Sequence, residues 1–152
     1  MYLNERPDGR WQLLEVIKGF RRPVSDQFRD PRHANAHEQA CIGRQLRLLE
    51  AAGIPPDRSL GAPILEPWFK WQAPDGHRHS VYVLKARPSH WRLYCVIGSQ
   101  LARQIVFILA VKKKEQSRDP ADKAKCEQIL EGLHSGRFEA APLPVPGSRG
   151  QP

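Results

Sequence analysis

Three strand-like runs in quick succession, residues 81–86, 91–97 and 103–111, constrain the fold of this chain more than anything else in it. Pro88-Ser89 punctuates the first gap and Gly98-Ser99 the second, so the stretch 82–115 reads as an antiparallel three-strand meander. Side chains on a strand alternate between faces, which allows the faces to be assigned residue by residue. Trp91, Leu93, Cys95 and Ile97 share one side of the middle strand, and Arg92, Tyr94 and Val96 the other. In the last strand Ile105, Phe107, Leu109 and Val111 fall together, opposed by Val106, Ile108, Ala110, Lys112 and Lys114. Tyr82, Leu84 and Ala86 suit the core side of the first strand and Lys85 the opposite side. With the apolar faces aligned, strict alternation predicts a cationic, partly aromatic surface of Lys85, Arg92, Tyr94, Lys112 and Lys114.

The basicity is local. Between Lys85 and Arg118 eight basic residues (Lys85, Arg87, Arg92, Arg103, Lys112, Lys113, Lys114, Arg118) face a single acid, Glu115, giving +7 of the chain's formal +8. Such clustering points to a polyanion site; the alternative is a solvated cationic edge that resists sheet-to-sheet aggregation. A pI near 9.8 favours nucleic acid, the ribosome, an acidic protein or an anionic membrane surface as partner. Membrane insertion is not expected, because the longest apolar run, Ile105 to Val111, is seven residues, against roughly 20 needed to span a bilayer. The opening MYLNERPDGRW lacks the apolar segment of a signal peptide, so a cytoplasmic protein is expected.

With 152 residues, 40% of them hydrophobic, one domain can bury a core without disulfides or a structural metal. Cys41, Cys95 and Cys126 are odd in number, widely spaced and set in apolar patterns, which predicts reduced core residues. His33 and His37 stand four apart on a helix-like stretch, but no third ligand accompanies them; neither a metal nor another cofactor is expected.

Around the meander, residues 11–19 (WQLLEVIKG) suit an opening strand, and Pro23 with Val24 and Phe28 suits a short helix with proline in its first turn. A longer helix is predicted over 36–52, with Asn35 and Glu38 as a capping box and Cys41, Ile42, Leu46, Leu48, Leu49 and Ala52 facing the core. Residues 58–79 read as a connection with an Asp75-Gly76 turn; Trp68, Phe69 and Trp71 within it either bury a loop or short strand or stack on bases. A last helix starts at Asp119-Pro120 and packs through Cys126, Ile129, Leu130 and Leu133. Residues 1–136 are predicted to form the domain and residues 137–152, rich in proline, an extended or disordered tail.

The order of these elements and the residues at their joints resemble the RelE/HigB family of bacterial toxins, and its phage-derived branch more closely. The resemblance rests on Val81-Tyr82-Val83-Leu84-Lys85, Trp91-Arg92-Leu93-Tyr94, the apolar run from Ile105 to Leu109, Lys112-Lys113-Lys114, and the proline-started helix from Pro120 to Leu133. It covers roughly residues 11 to 134. It implies an α+β fold of RelE/ParE type, a twisted antiparallel sheet with N-terminal helices packed on one face and a C-terminal helix. It also implies a metal-independent endoribonuclease acting on messenger RNA, often within the ribosome, and held by a cognate antitoxin, typically of helix-turn-helix type. A sister branch inhibits DNA gyrase instead, and a noncatalytic nucleic-acid-binding phage accessory protein would keep the basic sheet alone.

RNA is cut without metal when its 2′-OH attacks the adjacent phosphate, provided that the protein supplies a base, charge stabilisation and an acid. Arg92 suits the charge-stabilising task because a guanidinium forks across two phosphate oxygens. Lys85 and Lys114 are candidates for base or further stabilisation, and His90, in the turn beside Arg92, is the nearest acid–base group. Lys112, Lys113 and Arg87 are candidate backbone contacts, and Tyr94 a candidate to stack on a base or position a phosphate.

Overall fold

The computed structural model describes residues 10–51, 65–99, 103–113 and 120–147. These form an α+β architecture: a six-stranded mixed sheet of order β2-β3-β4-β5-β1-β6 with helices on both faces. In chain order the elements are β1 (Gln12–Ile17), α1 (Ser25–Arg29), α2 (Ala36–Glu50), β2 (Leu65–Gln72), β3 (Arg78–Lys85), β4 (Trp91–Ser99), β5 (Gln104–Lys112), α3 (Pro120–Ser135) and β6 (Glu139–Pro142). The expected meander is β3-β4-β5, antiparallel throughout. The sheet as a whole is not antiparallel, because β1 runs parallel to β5.

The first face carries α1 and α2. Leu84, Ala86, Trp91, Leu93, Cys95, Ile105 and Phe107 pack there against Phe28, Ile42, Leu46 and Leu49, as alternation in β3 and β4 predicts. The capping box fixes where α2 begins: Asn35 accepts from the Glu38 backbone at 2.9 Å, and Glu38 returns a bond to the Asn35 backbone at 3.1 Å. Leu48, expected on the buried stripe, is instead half exposed. A buried Glu15 in the middle of β1 ties α1 down, accepting from the Ser25 backbone at 3.0 Å, the Ser25 hydroxyl at 2.9 Å and Arg22 at 3.0 Å. All three cysteines are buried and free, and burial pushes the Cys126 thiol up to about 12. These are inert packing groups.

The second face is covered as well. Val81, Val83, Tyr94, Val96, Val106 and Ile108 pack against Cys126, Ile129 and Leu130 of α3, which explains why β5 reads as a continuous apolar run. Of the stretch expected as a connection, residues 58–64 lie outside the described residues and residues 65–79 form β2 and the start of β3, joined by a tight turn in which Gly76 takes φ 91°. Pro67 is tolerated in β2 because this is an edge strand with a register shift between Pro67 and Phe69. Trp71 is buried.

The expected tail is corrected most. Residues 139–142 form β6 on the edge of β1, and beyond them the Leu143 backbone donates to the Leu13 carbonyl at 2.9 Å. Leu143 and Val145 then enter the core beneath α2. Gly43 of α2 makes this possible: a Cβ there would lie 2.2 Å from the Pro146 carbonyl oxygen, which also accepts from Arg47 at 2.7 Å. Proline content misleads here because this segment needs few backbone donors; at an edge, a chain pairs on one side only.

Candidate nucleic-acid interface

One extra residue in β5 divides the basic cluster between the two faces. Pairing runs Trp91 with Lys112, Arg92 with Val111, Leu93 with Ala110 and Tyr94 with Leu109, then jumps to Cys95 with Phe107. Ile108 is the residue without a counterpart, a β-bulge, and an inserted residue reverses the inward–outward parity beyond it. Ile105 and Phe107 therefore keep the side that alternation predicts, whereas Ala110 and Lys112 are carried over to the α2 face.

Lys112 is consequently not a neighbour of Arg92, contrary to the expectation from strict alternation. Its ammonium lies 2.8 Å from Glu38, which also accepts from the indole N–H of Trp91 at 3.1 Å. Burial alone would push the Glu38 carboxyl up, but Lys112, the Asn35 backbone and Trp91 together outweigh it and hold the carboxyl below its usual range. This network anchors the start of α2 to the ends of β4 and β5. Every cation in it is matched.

On the opposite face, Lys85 and Arg92 lie directly across from one another on β3 and β4, an arrangement of like charges that disfavours the bare sheet. Lys85 is relieved by Glu66 of β2 at 2.9 Å. Arg92 is not: it is only 6% exposed, and no hydrogen bond or ion pair joins its guanidinium to any described residue. Burial pushes its pKa down; Tyr94 and Glu66 oppose the shift, and Arg87 adds to it. Two residues on, Tyr94 donates its hydroxyl to Asp122 of α3 at 3.2 Å, and Asp122 is also paired with Lys113. Burial, followed by the Asp122 carboxylate, raises the Tyr94 phenol far above its ordinary value, so it stays protonated. The Trp68 ring lies 4.7 Å from that of Tyr94 at 32°, so the tyrosine ring is packed and positions its neighbours. It is not offered to a base.

Of the residues singled out in the sequence, the fold thus gathers Lys85, Arg92, Tyr94 and Lys113 on one face. Arg87 and His90 sit exposed in the β3–β4 turn at its margin, where the His90 carbonyl accepts from the Lys113 backbone at 2.8 Å. Lys114 lies outside the described residues. Sequence reasoning missed Glu66 and Asp122, and left Trp68 between burial and base stacking; its ring packs on Tyr94. Asp122 has one local signal, an acid in the first turn of a helix, but nothing in the sequence connects it to a tyrosine 28 positions earlier.

Chemically, the arrangement offers the fork of donors of the largely buried Arg92, a second cation in Lys85, and the exposed imidazole of His90 as a group for proton exchange. Such a fork fits the paired oxygens of a phosphate or a carboxylate. No protein-family model matches the chain, and no curated protein matches it.

Proposed function

We propose that this protein is a metal-independent endoribonuclease of the RelE/HigB type, the toxin of a toxin–antitoxin pair, acting on messenger RNA free or on the ribosome. The observation that carries this reading is Arg92, a buried guanidinium with no counter-ion bonded to it among the described residues. A buried charge of this kind is costly unless something matches it, and an incoming phosphate supplies the missing acceptors. As the 2′-OH attacks the adjacent phosphate, charge grows on its non-bridging oxygens and the Arg92 fork receives it. Lys85 adds field at short range, held in place by Glu66. His90, exposed in the turn that leads into β4, is assigned proton transfer at the attacking or leaving oxygen, and Tyr94, fixed by Asp122 and Trp68, stands two residues from Arg92 on the same face. Lys113, on the same face, and Arg87, exposed in the β3–β4 turn, are assigned contacts with the RNA backbone. A cognate antitoxin of helix-turn-helix type neutralises the protein by laying an acidic segment over the same face.

The test is induction in a bacterial host with mapping of RNA 5′ ends and a parallel DNA-supercoiling assay. New RNA ends are expected from the wild type and not from Arg92→Ala, with a rate loss of about a hundredfold or more, the usual scale for removing a charge-stabilising donor. Arg92→Lys keeps the charge without the fork and stays impaired. Altered supercoiling without new ends identifies a gyrase inhibitor. RNA binding with neither effect identifies a noncatalytic accessory protein.

A further inference from the structure

Phe20 is fully exposed; among the described residues the other exposed large apolar side chain is Leu48 on α2, which is half exposed. Its position is built with care. Lys18 and Arg21 exchange both backbone hydrogen bonds, at 2.9 and 3.0 Å, closing a two-residue turn in which Gly19 takes φ 64°. That glycine-first arrangement is the type II′ turn, which holds its second residue, here Phe20, rigidly at the tip. Both flanking residues are exposed cations, and neither has an ion-pair partner among the described residues. Lys18 stands 5.0 Å over the Phe138 ring, and Phe138 belongs to the α3 side of the sheet, the side that carries Arg92. The nearby acids are occupied or set apart: Glu15 is buried against Arg22 and Ser25, Asp26 accepts from the Arg22 backbone, and Glu139 lies across from Ile17.

Topology sets this turn at the Arg92 end of the sheet. Because β1 is parallel to β5, from Gln12 across from Gln104 to Glu15 across from Phe107, both strands run toward the end of the sheet at which β4 begins, where Trp91 pairs with Lys112. Only β5 separates β4 from β1, so the turn that follows β1 and the Arg92 end of β4 lie toward the same end of the sheet.

We propose that the Lys18–Arg21 turn is a second RNA contact, in which Phe20 stacks on an unpaired base while Lys18 and Arg21 hold the flanking phosphates of the strand bound at Arg92. The inference rests on the proposed RNA-binding reading and extends it to a site that neither charge counting nor the meander identifies. A lone aromatic between cations is how proteins grip single strands without reading sequence. A membrane or protein partner is disfavoured because, among the described residues, no other fully exposed large apolar side chain stands beside Phe20 to widen the contact.

Binding is measured by anisotropy with 2′-O-methyl oligouridylates of about two and about ten nucleotides, which lack the attacking hydroxyl and are not cut. Phe20→Ala is expected to weaken the long oligomer about tenfold, within the range for loss of one stacked base, and to leave the short one unchanged. The salt dependence stays the same, since stacking releases no counterions. Phe20→Trp keeps the affinity, and its added emission is quenched on binding. Because Phe20 touches no core, both variants keep the wild-type melting temperature. Equal affinity of wild type and Phe20→Ala for the long oligomer overturns the proposal while leaving Arg92 as an RNA site. A wild type that binds neither oligomer overturns this contact and the RNA reading together. Binding that needs Phe20, paired with no cleavage of ordinary RNA, upholds the contact and removes only the nuclease. Phe20-dependent binding to anionic vesicles, with RNA binding indifferent to Phe20, reassigns the turn to a membrane surface.

Discussion

Lys112 and Arg92 belong to neighbouring strands and to the same basic stretch, yet they stand on opposite faces and in opposite circumstances. Lys112 is half exposed and bonded to a carboxylate; Arg92 is buried and bonded to none among the described residues. The first belongs to a closed network with Glu38 and Trp91 that seats a helix. The second sits in a network that is satisfied everywhere else, through Glu66, Tyr94, Asp122 and Lys113. Local charge density alone does not separate the two; what separates them is whether a described residue matches the charge.

The segment joining the two faces provides the largest expected effect. It leaves α3, forms β6 and ends with Leu143 and Val145 in the α2-side core. Truncation after Ser135 removes both side chains, each worth about 1.5–3 kcal/mol of burial, and strips β1 of its outer partner. The sum approaches the 5–15 kcal/mol that holds a typical domain together, so urea unfolding of the truncated chain is expected to begin without a folded baseline. A cooperative transition within about 1 kcal/mol of wild type would show that the two faces stand independently of this link.

Glu38 comes next. Glu38→Ala leaves Lys112 and the Trp91 indole without their acceptor and opens half of the capping box, at a cost of about 3 kcal/mol. The pH dependence has a definite sign. The folded carboxyl titrates below its ordinary value, so its contribution is complete above the usual carboxylate range near about 4 and is lost as pH falls through that range toward the folded pKa. Thermal unfolding between neutral pH and acid is therefore expected to fall more steeply for wild type than for Glu38→Gln. Asp30, held down to about 2 by the Arg32 guanidinium, is common to both proteins and cancels in the difference.

The contrast between the faces also marks what the sequence could reveal. Alternation in β3 and β4 was legible because each strand is regular, and it placed Leu84, Trp91, Leu93 and Cys95 on one side and Arg92 and Tyr94 on the other. The same rule failed in β5, where Ile108 is inserted among residues so uniformly apolar that no polar position marks the slip. The capping box of α2 is local in sequence and was legible in full. The Tyr94–Asp122 bond and β6 depend on contacts between distant segments, for which a single sequence carries no local signal.

On the α3 face, Asp122→Asn removes the charge shared by Lys113 and Tyr94 while keeping the shape of the side chain. A loss of about 2 kcal/mol is expected, because the Lys113 ammonium, itself little exposed, loses its carboxylate in a partly buried site. RNA cleavage should fall too, through displacement of Tyr94 on the face it shares with Arg92, and the fall should appear in kcat more than in KM. An equal loss in Tyr94→Phe, which removes the same hydroxyl, would locate the effect in that bond. Full activity in both would detach the Asp122 network from the site.

The smallest expected effect is the most discriminating, because its sign differs between the two cations. Arg92→Met keeps the length and apolar stem of the side chain and removes a charge that no described residue matches. Replacing a buried ion by a well-packed apolar group is often neutral or stabilising, and relief of repulsion from Lys85 and Arg87 adds to this, so a gain of about 1 kcal/mol is expected. Lys112→Met removes a matched charge and strands Glu38, so a loss of about 1 kcal/mol is expected. Function should move oppositely: Arg92→Met abolishes RNA cleavage and weakens binding, whereas Lys112→Met leaves both near wild type. A protein that gains stability as it loses activity has kept an unfavourable charge for use. Denaturant midpoints and RNA cleavage measured on the same preparations decide it. Destabilisation by both substitutions would mean that Arg92 is a packing residue with the same status as Lys112, and the distinction between the two faces would then have no functional content.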